Sequence, residues 1–302
     1  MLKNQAKKKN SFPGLVAYPV FIYFVVFLIF PILYLLFLSF SKTNYFTGAS
    51  VLNGLENYKD LFKDEIFLTA FKQTFILALV RIVVIVPLSM LIALGINRIH
   101  NVGLRTFYTL SYFSPIITST TAVALVWMWI YDPSLGFANY VFSLLGIPRQ
   151  SFLQDTAIAL YSIAAVSIWK DVGWYMVIFH AGIQGIPSHL YEAADIDGAS
   201  AWSKFWKITL PLLRPTFLLN MVVVTINSLR EFTSIFVMTR ATISGEPGGP
   251  ANSTLTLSVY MFKNAFLYND YGKAAAIAII LLVIIGVFTL FQFKALKTDW
   301  EY

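Results

Sequence analysis

Long apolar segments alternate with shorter polar ones along the whole chain. Six of the apolar runs approach or exceed the twenty residues that cross a bilayer core of about 30 Å as an α-helix. Apolar and polar residues do not alternate within these runs as they would in lipid-facing β-strands, so helices are predicted. The predicted spans are approximately Gly14–Phe40, Thr74–Ile96, Thr106–Tyr131, Ala157–Ala181, Pro215–Thr239 and Ala274–Phe293. The pattern predicts an all-α membrane protein with one transmembrane domain of six helices, residues 1–302.

Composition supports a membrane protein and disfavours an enzyme. Of the 302 residues, 58% are hydrophobic and only 12% are charged, whereas soluble domains carry about 25% charged residues. Cysteine is absent, and the three histidines lack the carboxylate spacing of a metal site. No phosphate-binding glycine motif and no nucleophile–base arrangement is present. We therefore expect no catalytic residues, no metal and no bound cofactor.

The net charge of +7 reflects how the chain is placed in the membrane. Basic residues cluster before the first predicted span, after alternate spans, and at the end of the chain. These residues are Lys3, Lys7, Lys8, Lys9, Arg98, Arg105, Lys204, Lys207, Arg214, Lys294 and Lys297. By the positive-inside rule, both termini and the long polar segment 182–214 are predicted to be cytoplasmic. This explanation leaves no reason to expect a nucleic-acid partner.

Charged residues also occur inside two predicted spans, where each costs a few kcal/mol or more at the bilayer centre. Lys170-Asp171 lies in the fourth span and Arg230-Glu231 in the fifth, at similar expected depth. Adjacent residues on one helix point apart, so we expect interhelical pairs, either Asp171 with Arg230 or Lys170 with Glu231. Arg81 is expected nearer the outer end of the second span, where it can extend to the interface and serve a structural role.

Two interpretations of these charges remain open on the sequence alone. They could form an ion pair that fixes helix packing, or they could line a polar cavity for a hydrophilic solute. Nearby aromatic and hydrogen-bonding side chains fit a sugar, which presents apolar faces beside hydroxyl groups. The predicted pathway residues are Trp169, Lys170, Asp171, Trp174, Tyr175, Asn227, Arg230, Glu231 and Ser234.

The polar segment 182–214 has the chemistry of two short helices. Ser188 is a candidate N-cap, Gly198 is expected to end the first helix, and Ala201 to begin the second. Alanines at 193 and 194 leave a thin surface that can enter a cleft, and Glu192 offers a charge to a partner. The segment could dock a partner protein, or it could simply pack on the helix ends.

The spacing within this segment resembles a known motif. Glu-Ala-Ala at 192–194 is followed after three residues by Gly198 and, nine residues later, by Ile208-x-Leu210-Pro211. This pattern is similar to the EAA motif of permeases in binding-protein-dependent ABC importers. Gly54-Leu55-Glu56-Asn57-Tyr58 and Gly248-Gly249-Pro250 resemble sequences of the carbohydrate-uptake branch, and the resemblance covers almost the whole chain.

The resemblance implies a type I importer permease fold in the cell membrane of a bacterium or archaeon. It implies that a cytoplasmic coupling-helix pair centred on Glu192–Gly198 fits a groove on a separate ATPase homodimer, which binds ATP and Mg²⁺. The implied coupling residues are Glu192, Ala193, Ala194, Gly198, Ile208, Leu210 and Pro211. A second, related permease would complete a heterodimer. An extracellular sugar-binding protein would dock near Asp132–Gly136 and Gly245–Ser253.

The solute is less well defined than the machinery. Disaccharides or oligosaccharides are expected, with glycerol-phosphate compounds as the alternative. A phosphate would need several cations, and the expected ion pairs would occupy Lys170 and Arg230, which favours a neutral sugar. A less favoured alternative is an ion-coupled secondary carrier with Asp171 and Glu231 as proton sites. A scaffold without transport function fits poorly with charges placed inside spans.

Overall fold

The computed structural model describes residues 12–43, 50–240 and 245–295. The lysine cluster at residues 3–9, Lys297 and both termini lie outside the described residues. The described chain is almost entirely helical. Its short β-strands, β1 (Ser41–Thr43) and β2 (Ser50–Leu52), form an antiparallel pair in which Ser41 lies opposite Leu52.

The N-terminal part of the fold is one long apolar segment followed by a surface helix. The segment consists of α1 (Phe12–Phe24), a π-helical turn (Val25–Ile29) and α2 (Phe30–Ser39). After the strands, α3 (Glu56–Lys63) lies across the end of the bundle with Leu61 and Asn57 buried. Asn57 donates hydrogen bonds of 2.9 Å to the carbonyl oxygens of Ser39 and Ser41, which fixes α3 against the end of α2.

Helix α4 (Glu65–Asn97) is the longest element, at 33 residues. Its N-cap is Asp64, whose carboxylate accepts hydrogen bonds from the backbone N–H groups of Ile66 and Phe67. The helix begins nine residues before the predicted Thr74, because the segment after Asp64 still packs apolar side chains such as Phe67 into the core. At 1.5 Å per residue the helix is about 50 Å long, longer than the membrane core is thick.

The third predicted span is a broken helix. The chain forms α5 (Val102–Ile117) and α6 (Thr120–Ile130), which meet at an angle of 96°. Thr118 and Ser119 have extended backbone conformations with ψ of 141° and 129°, and these two residues turn the chain. The predicted span Thr106–Tyr131 therefore contains a sharp break between two helices. Pro115 and the polar run Thr118-Ser119-Thr120-Thr121 accompany the break in the sequence.

The remaining elements complete the bundle and its surface segments. They are α7 (Phe137–Leu144), α8 (Ala159–Gln184), α9 (Ser188–Ile196), α10 (Ala201–Lys204), a second π-helical turn (Phe205–Thr209), α11 (Leu210–Leu212), α12 (Arg214–Leu229), α13 (Thr233–Arg240), a 3₁₀ turn (Pro250–Asn252), α14 (Leu257–Phe262), a third π-helical turn (Lys263–Leu267) and α15 (Tyr271–Ala295).

Five helical segments in the described part of the chain are long and apolar enough to cross a membrane. They are Tyr18–Ser39, Glu65–Asn97, Ala159–Gln184, Arg214–Arg240 and Tyr271–Ala295. The bent pair α5 and α6 gives a sixth if it is one span. The fold is thus a helical membrane bundle with five or six candidate spans.

The buried core has two apolar layers. One contains Phe67 and Leu77 of α4 with Ile163 of α8. The other contains Ile85 of α4 with Phe179 of α8. Between these layers lie Arg81 and Asp171, together with Ile82 and Ile168, which pack against both layers. The bundle therefore holds charged side chains between two apolar layers.

Candidate functional site: a polar cavity and an exposed helix pair

Arg81 of α4 binds two carboxylates from different parts of the bundle. Its Nη2 lies 2.5 Å from Asp171 Oδ2 on α8, and its Nη1 lies 2.7 Å from Glu231 Oε2, between α12 and α13. The Arg81 side chain is 1% exposed. Removing one member of such a buried cluster would leave an uncompensated charge, so the three residues act as a unit.

This arrangement corrects three predictions. Asp171 does not pair with Arg230, Lys170 does not pair with Glu231, and Arg81 does not extend to an interface but binds the two carboxylates. Arg81 lies at the centre of α4, about 24 Å from each end of the helix. The packing of α4 against α8 and α12 brings Asp171 and Glu231 to it.

The ionised cluster forms one wall of a cavity of about 530 Å³. Eight of the nine predicted pathway residues line it: Lys170, Asp171, Trp174, Tyr175, Asn227, Arg230, Glu231 and Ser234. It is also lined by Arg81, Ile116, Thr120, Ser167, Phe232 and Thr233. The structure brings these residues together, and their contact with a solute stays a prediction.

Trp169 does not line this cavity. Its ring packs edge-on against Trp127, with centroids 5.6 Å apart. The remaining aromatic residue of the predicted set with a large exposed surface is Trp174, which is 44% exposed. The cavity therefore combines one open aromatic face with many hydrogen-bonding groups.

A break in the fifth span supplies several of the polar groups. Helix α12 ends at Leu229 and α13 begins at Thr233, so residues 230–232 leave the helix inside the candidate span Arg214–Arg240. Glu231 stabilises the new helix start by accepting a hydrogen bond of 3.2 Å from the Ser234 N–H. The Glu231 carbonyl accepts another from the Thr256 hydroxyl at 3.3 Å. Irregular backbone at this depth is tolerated where protein or a polar cavity satisfies it.

Two further cations lie beside the cluster. Lys170 Nζ is 3.8 Å from Asp171 Oδ1, beyond hydrogen-bond distance. Arg230 is exposed, and no carboxylate in the described part of the chain lies within 4.0 Å of its guanidinium. The basic and acidic side chains of the cavity are therefore three cations and two carboxylates.

The second candidate site is the helix pair formed by α9 and α10–α11. Gly198 ends α9 as predicted, with a φ of +71°. The N–H of Ala199 bonds to the carbonyl of Ala194 at 2.8 Å, and that of Gly198 to Asp195, the pattern of a Schellman cap. Ser188 is the first helical residue and caps nothing with its side chain. The prediction that Ser188 is the N-cap was wrong, because Pro187 occupies the N-cap position and Ser188 already lies in the helix.

The two halves of this helix pair are tied to each other. Lys204 Nζ lies 2.5 Å from Asp195 Oδ1, and the Tyr191 hydroxyl lies 2.8 Å from the Thr209 hydroxyl. Ser200 caps α10, which begins at Ala201 as predicted. These contacts hold the pair as one element at the ends of α8 and α12.

The outward face of the helix pair has no partner within the described chain. Glu192, Ala193 and Gly198 are exposed, whereas Ala194, Ile208, Leu210 and Pro211 are half-buried. The face also exposes large apolar side chains, with Ile196 87% and Trp202 71% exposed. Apolar side chains grouped on a polar surface typically mark a protein or membrane contact.

At the opposite end of the bundle, two ion pairs fix the surface segments. Asp64 Oδ2 accepts hydrogen bonds from Lys273 Nζ at 2.6 Å and from the Tyr260 hydroxyl at 2.5 Å. Glu246 binds Lys263 at 2.7 Å, and this hydrogen bond lowers the pKa of the Glu246 carboxyl. Gly248 and Gly249 have φ values of 128° and 70°, which explains the glycines of this turn. Neither the helix pair nor these segments form a metal site: the described residues contain no group of three His, Cys, Asp or Glu side chains suited to an ion.

The sequence places the chain in a known family. Residues 85–296 match the family described as the inner membrane component of binding-protein-dependent transport systems. The chain is 36% identical over 259 residues to the probable ABC transporter permease protein YesP of Bacillus subtilis, covering 85% of this chain and 81% of YesP. It is 34% identical to the multiple sugar-binding transport system permease protein MsmF of Streptococcus mutans, covering 81% of each. It is 32% identical to the sn-glycerol-3-phosphate transport system permease protein UgpA of Agrobacterium fabrum, covering 82% of each.

A solved structure shares the fold over nearly the full length. A chain of a bacterial ABC transporter that imports the acidic polysaccharide alginate is 25% identical, with a TM-score of 0.84, covering 97% of this chain and 98% of that one. The same transporter in complex with an alginate pentasaccharide-bound periplasmic protein gives a TM-score of 0.82. The chain therefore belongs to the family of binding-protein-dependent inner membrane transport components, and it is a multi-pass permease subunit of an ABC importer rather than an enzyme.

Proposed function

We propose that this permease forms part of the pathway for a disaccharide or oligosaccharide, and that ATP hydrolysis by a separate subunit drives the transport. The helix pair α9–α11 is the proposed contact with that ATPase. The observation that carries this proposal is the exposed helix pair, whose two halves are joined by an ion pair and which exposes Glu192, Ala193 and Gly198.

The properties of the helix pair fit a coupling element. The Asp195–Lys204 ion pair and the Tyr191–Thr209 hydrogen bond make it one body, so force applied to α9 passes to α12. Ile208, Leu210 and Pro211 are half-buried and attach the pair to the bundle. Glu192 and the small Ala193 remain available to a groove with a basic side chain. We propose ATP and Mg²⁺ as ligands of the partner, not of this chain.

The remaining parts of the assembly follow from this placement. The helix pair and both termini would face the cytoplasm, in agreement with the distribution of basic residues. A second, related permease would complete the pathway as a heterodimer. The segments at Asp132–Gly136 and Gly245–Ser253 would receive a sugar-loaded binding protein on the other side, as a periplasmic protein is bound in the alginate transporter.

A sugar fits the polar cavity better than a small ion does. The cavity of about 530 Å³ lies within the usual size of small-molecule sites, about 300–1,000 Å³. Trp174 offers a flat face, and Asn227, Tyr175 and Ser234 offer hydrogen-bonding groups. The names of MsmF and of the alginate transporter support carbohydrate as the solute class.

Two alternatives compete with this proposal. UgpA supports a glycerol-phosphate solute. An ion-coupled carrier would use Asp171 and Glu231 as proton sites, but Arg81 binds both carboxylates, and a proton-carrying site needs a carboxylate that is released during the cycle. The carrier also gives the exposed helix pair no role.

Uptake by the reconstituted importer tests the energy source. The permease pair, its ATPase and its binding protein are reconstituted in proteoliposomes with ATP enclosed, with or without a proton gradient. We expect uptake of sugar that requires enclosed ATP and ignores the gradient. Uptake that requires the gradient and ignores ATP would establish the carrier instead.

A further inference from the structure

The charges of the cavity do not balance within the described chain. Arg81 takes both available carboxylates, Asp171 and Glu231. Lys170 Nζ lies 3.8 Å from Asp171 Oδ1, so the Asp171 carboxylate attracts it as well. The guanidinium of Arg230 is left with no carboxylate within 4.0 Å among the described residues, and it lines the same cavity.

Arg230 lies where a cation is favoured and where a solute can reach it. It caps the C-terminal end of α12 in the interior of the predicted fifth span, with its N–H bonded to the Ile226 carbonyl. The negative end of the helix dipole therefore stabilises its positive charge. The side chain is exposed and lines the cavity, so an anionic group of a solute could supply the carboxylate that the described residues do not.

We propose that Arg230 binds a carboxylate of the solute, so that this permease carries an acidic, uronate-bearing oligosaccharide. This inference rests on the proposed sugar function and names the class of sugar. The expectation of a neutral sugar depended on Arg230 being paired with Asp171, and it is not. Arg230 is exposed and lines the same cavity as Trp174 and Asn227, so a solute held in this cavity can reach the guanidinium.

The size of the charge favours a carboxylate over a phosphate. The cavity has one cation in excess of its carboxylates. A sugar carboxylate brings one negative charge and matches the planar guanidinium with two parallel hydrogen bonds. A phosphate monoester brings about 1.5 to 2 negative charges at neutral pH, which is more than the one unbalanced positive charge of the cavity.

Matched pairs of disaccharides test the proposal in the complete reconstituted importer. Each pair contains an acid and its carboxyl-reduced neutral counterpart: digalacturonate with galactobiose, dimannuronate with mannobiose, and cellobiouronate with cellobiose. Glycerol 3-phosphate is the separate phosphate probe. ATP-driven uptake is measured for the native protein, Arg230→Gln, which removes the charge, and Arg230→Lys, which keeps it without the planar fork.

We expect the native importer to prefer at least one acid over its neutral counterpart. Arg230→Gln should lower uptake of that acid about tenfold or more, the range for losing a hydrogen-bonded charge, while uptake of any neutral sugar changes less than twofold. Arg230→Lys should restore part of the acid uptake. Equal loss of acid and neutral sugars in Arg230→Gln would overturn the proposal and make Arg230 a contact with the second permease.

The other outcomes separate this inference from the proposed function. Import of neutral sugars without preference for any acid would overturn the acidic solute and leave sugar import standing. Import of glycerol 3-phosphate in place of the sugars would overturn both.

Discussion

Arg81 Nη2 lies 2.5 Å from Asp171 Oδ2, and each of these residues stands at the middle of its helix. Helix α4 has 33 residues and α8 has 26. Apolar layers pack the two helices on both sides of this pair, and apolar packing alone tolerates sliding better than a buried ion pair does. The ion pair therefore fixes the register of α4 against α8 beside the cavity.

Removing the guanidinium should strongly destabilise the bundle. Arg81→Met leaves Asp171 and Glu231 without a counter-charge, and we expect a loss of about 3–5 kcal/mol. Thermal unfolding of the purified protein in detergent measures it. The matched control is the triple variant Arg81→Met, Asp171→Asn, Glu231→Gln, which should recover part of the stability because neither carboxylate is left uncompensated, although Lys170 stays buried and charged. An Arg81→Met protein as stable as the native one would contradict the account.

Helices α5 and α8 touch through a glycine next to the cavity. A Cβ at Gly173 would lie 1.9 Å from the Tyr112 carbonyl oxygen, so Gly173→Ala must push the two backbones apart. We expect a cost of about 1–3 kcal/mol, typical of overpacking, measured by thermal unfolding. Gly286→Ala on α15 is the control, since a Cβ there meets nothing within 4 Å. It should be neutral or stabilising by up to about 1 kcal/mol, and equal effects of the two changes would refute the close contact.

The Asp64 network predicts loss of stability in acid. Burial alone raises the pKa of Asp64, but hydrogen bonds from Lys273, Tyr260 and the Ile66 N–H outweigh it and hold the pKa below its ordinary value. An unfolded aspartate titrates near pH 3.9. The network's contribution is therefore fully present above about pH 4 and is lost as the pH falls through the lower pKa of the folded protein.

Asp64→Asn isolates this charge, because asparagine still caps α4. We expect a lower unfolding temperature at pH 7 and a smaller difference between native and variant proteins in acid. Glu56→Gln is the control, as Glu56 makes only a surface pair with Lys59 and should change little. An undiminished difference at low pH would show that the effect is not the carboxylate charge.

Gly198 should be replaceable by asparagine more readily than by alanine. Its φ is +71°, and a Cβ there meets nothing within 4 Å, so the cost of a side chain is conformational. Alanine in this region costs about 1–2 kcal/mol, whereas asparagine tolerates it better. ATP-driven uptake should fall in the order native, Gly198→Asn, Gly198→Ala. Identical uptake for all three would mean that the Schellman cap does not shape the coupling contact.

Local chemistry allowed much of this fold to be predicted. Gly198 and the small residues around it placed the helix pair, and continuous apolar runs placed five spans. The break at Thr118–Ser119 has a signal in the sequence, Pro115 followed by the polar run Thr118-Ser119-Thr120-Thr121, but this signal does not give the 96° angle between the helices. The break at residues 230–232 has no proline or glycine beside it and was not predicted, although it moves Arg230 and Glu231 out of the helix.

The residues of the cavity were predicted better than their partners. Charges and aromatic residues inside spans identified eight lining residues, because burying them needs a polar cavity. The role of Arg81 was wrongly predicted because its helix begins earlier than expected and because its partners lie on other helices. Asp64 is an N-cap residue, and starting α4 there puts Arg81 at the centre of the helix. The pairing of Arg81 with Asp171 and Glu231 depends on how three segments pack together. The spacing of residues along the sequence does not show that packing.

In the proposed function, the helix pair transmits the motion driven by ATP hydrolysis from the ATPase to this permease. The most direct test is ATP-driven sugar uptake, measured together with ATP hydrolysis, in the reconstituted importer carrying Glu192→Ala or Gly198→Pro. Glu56→Ala, an exposed carboxylate at the opposite end of the bundle, is the control. We expect that both helix-pair variants lose most uptake while the ATPase subunit still binds ATP, and that the control transports normally. Coupled uptake at native rates in both helix-pair variants would contradict it.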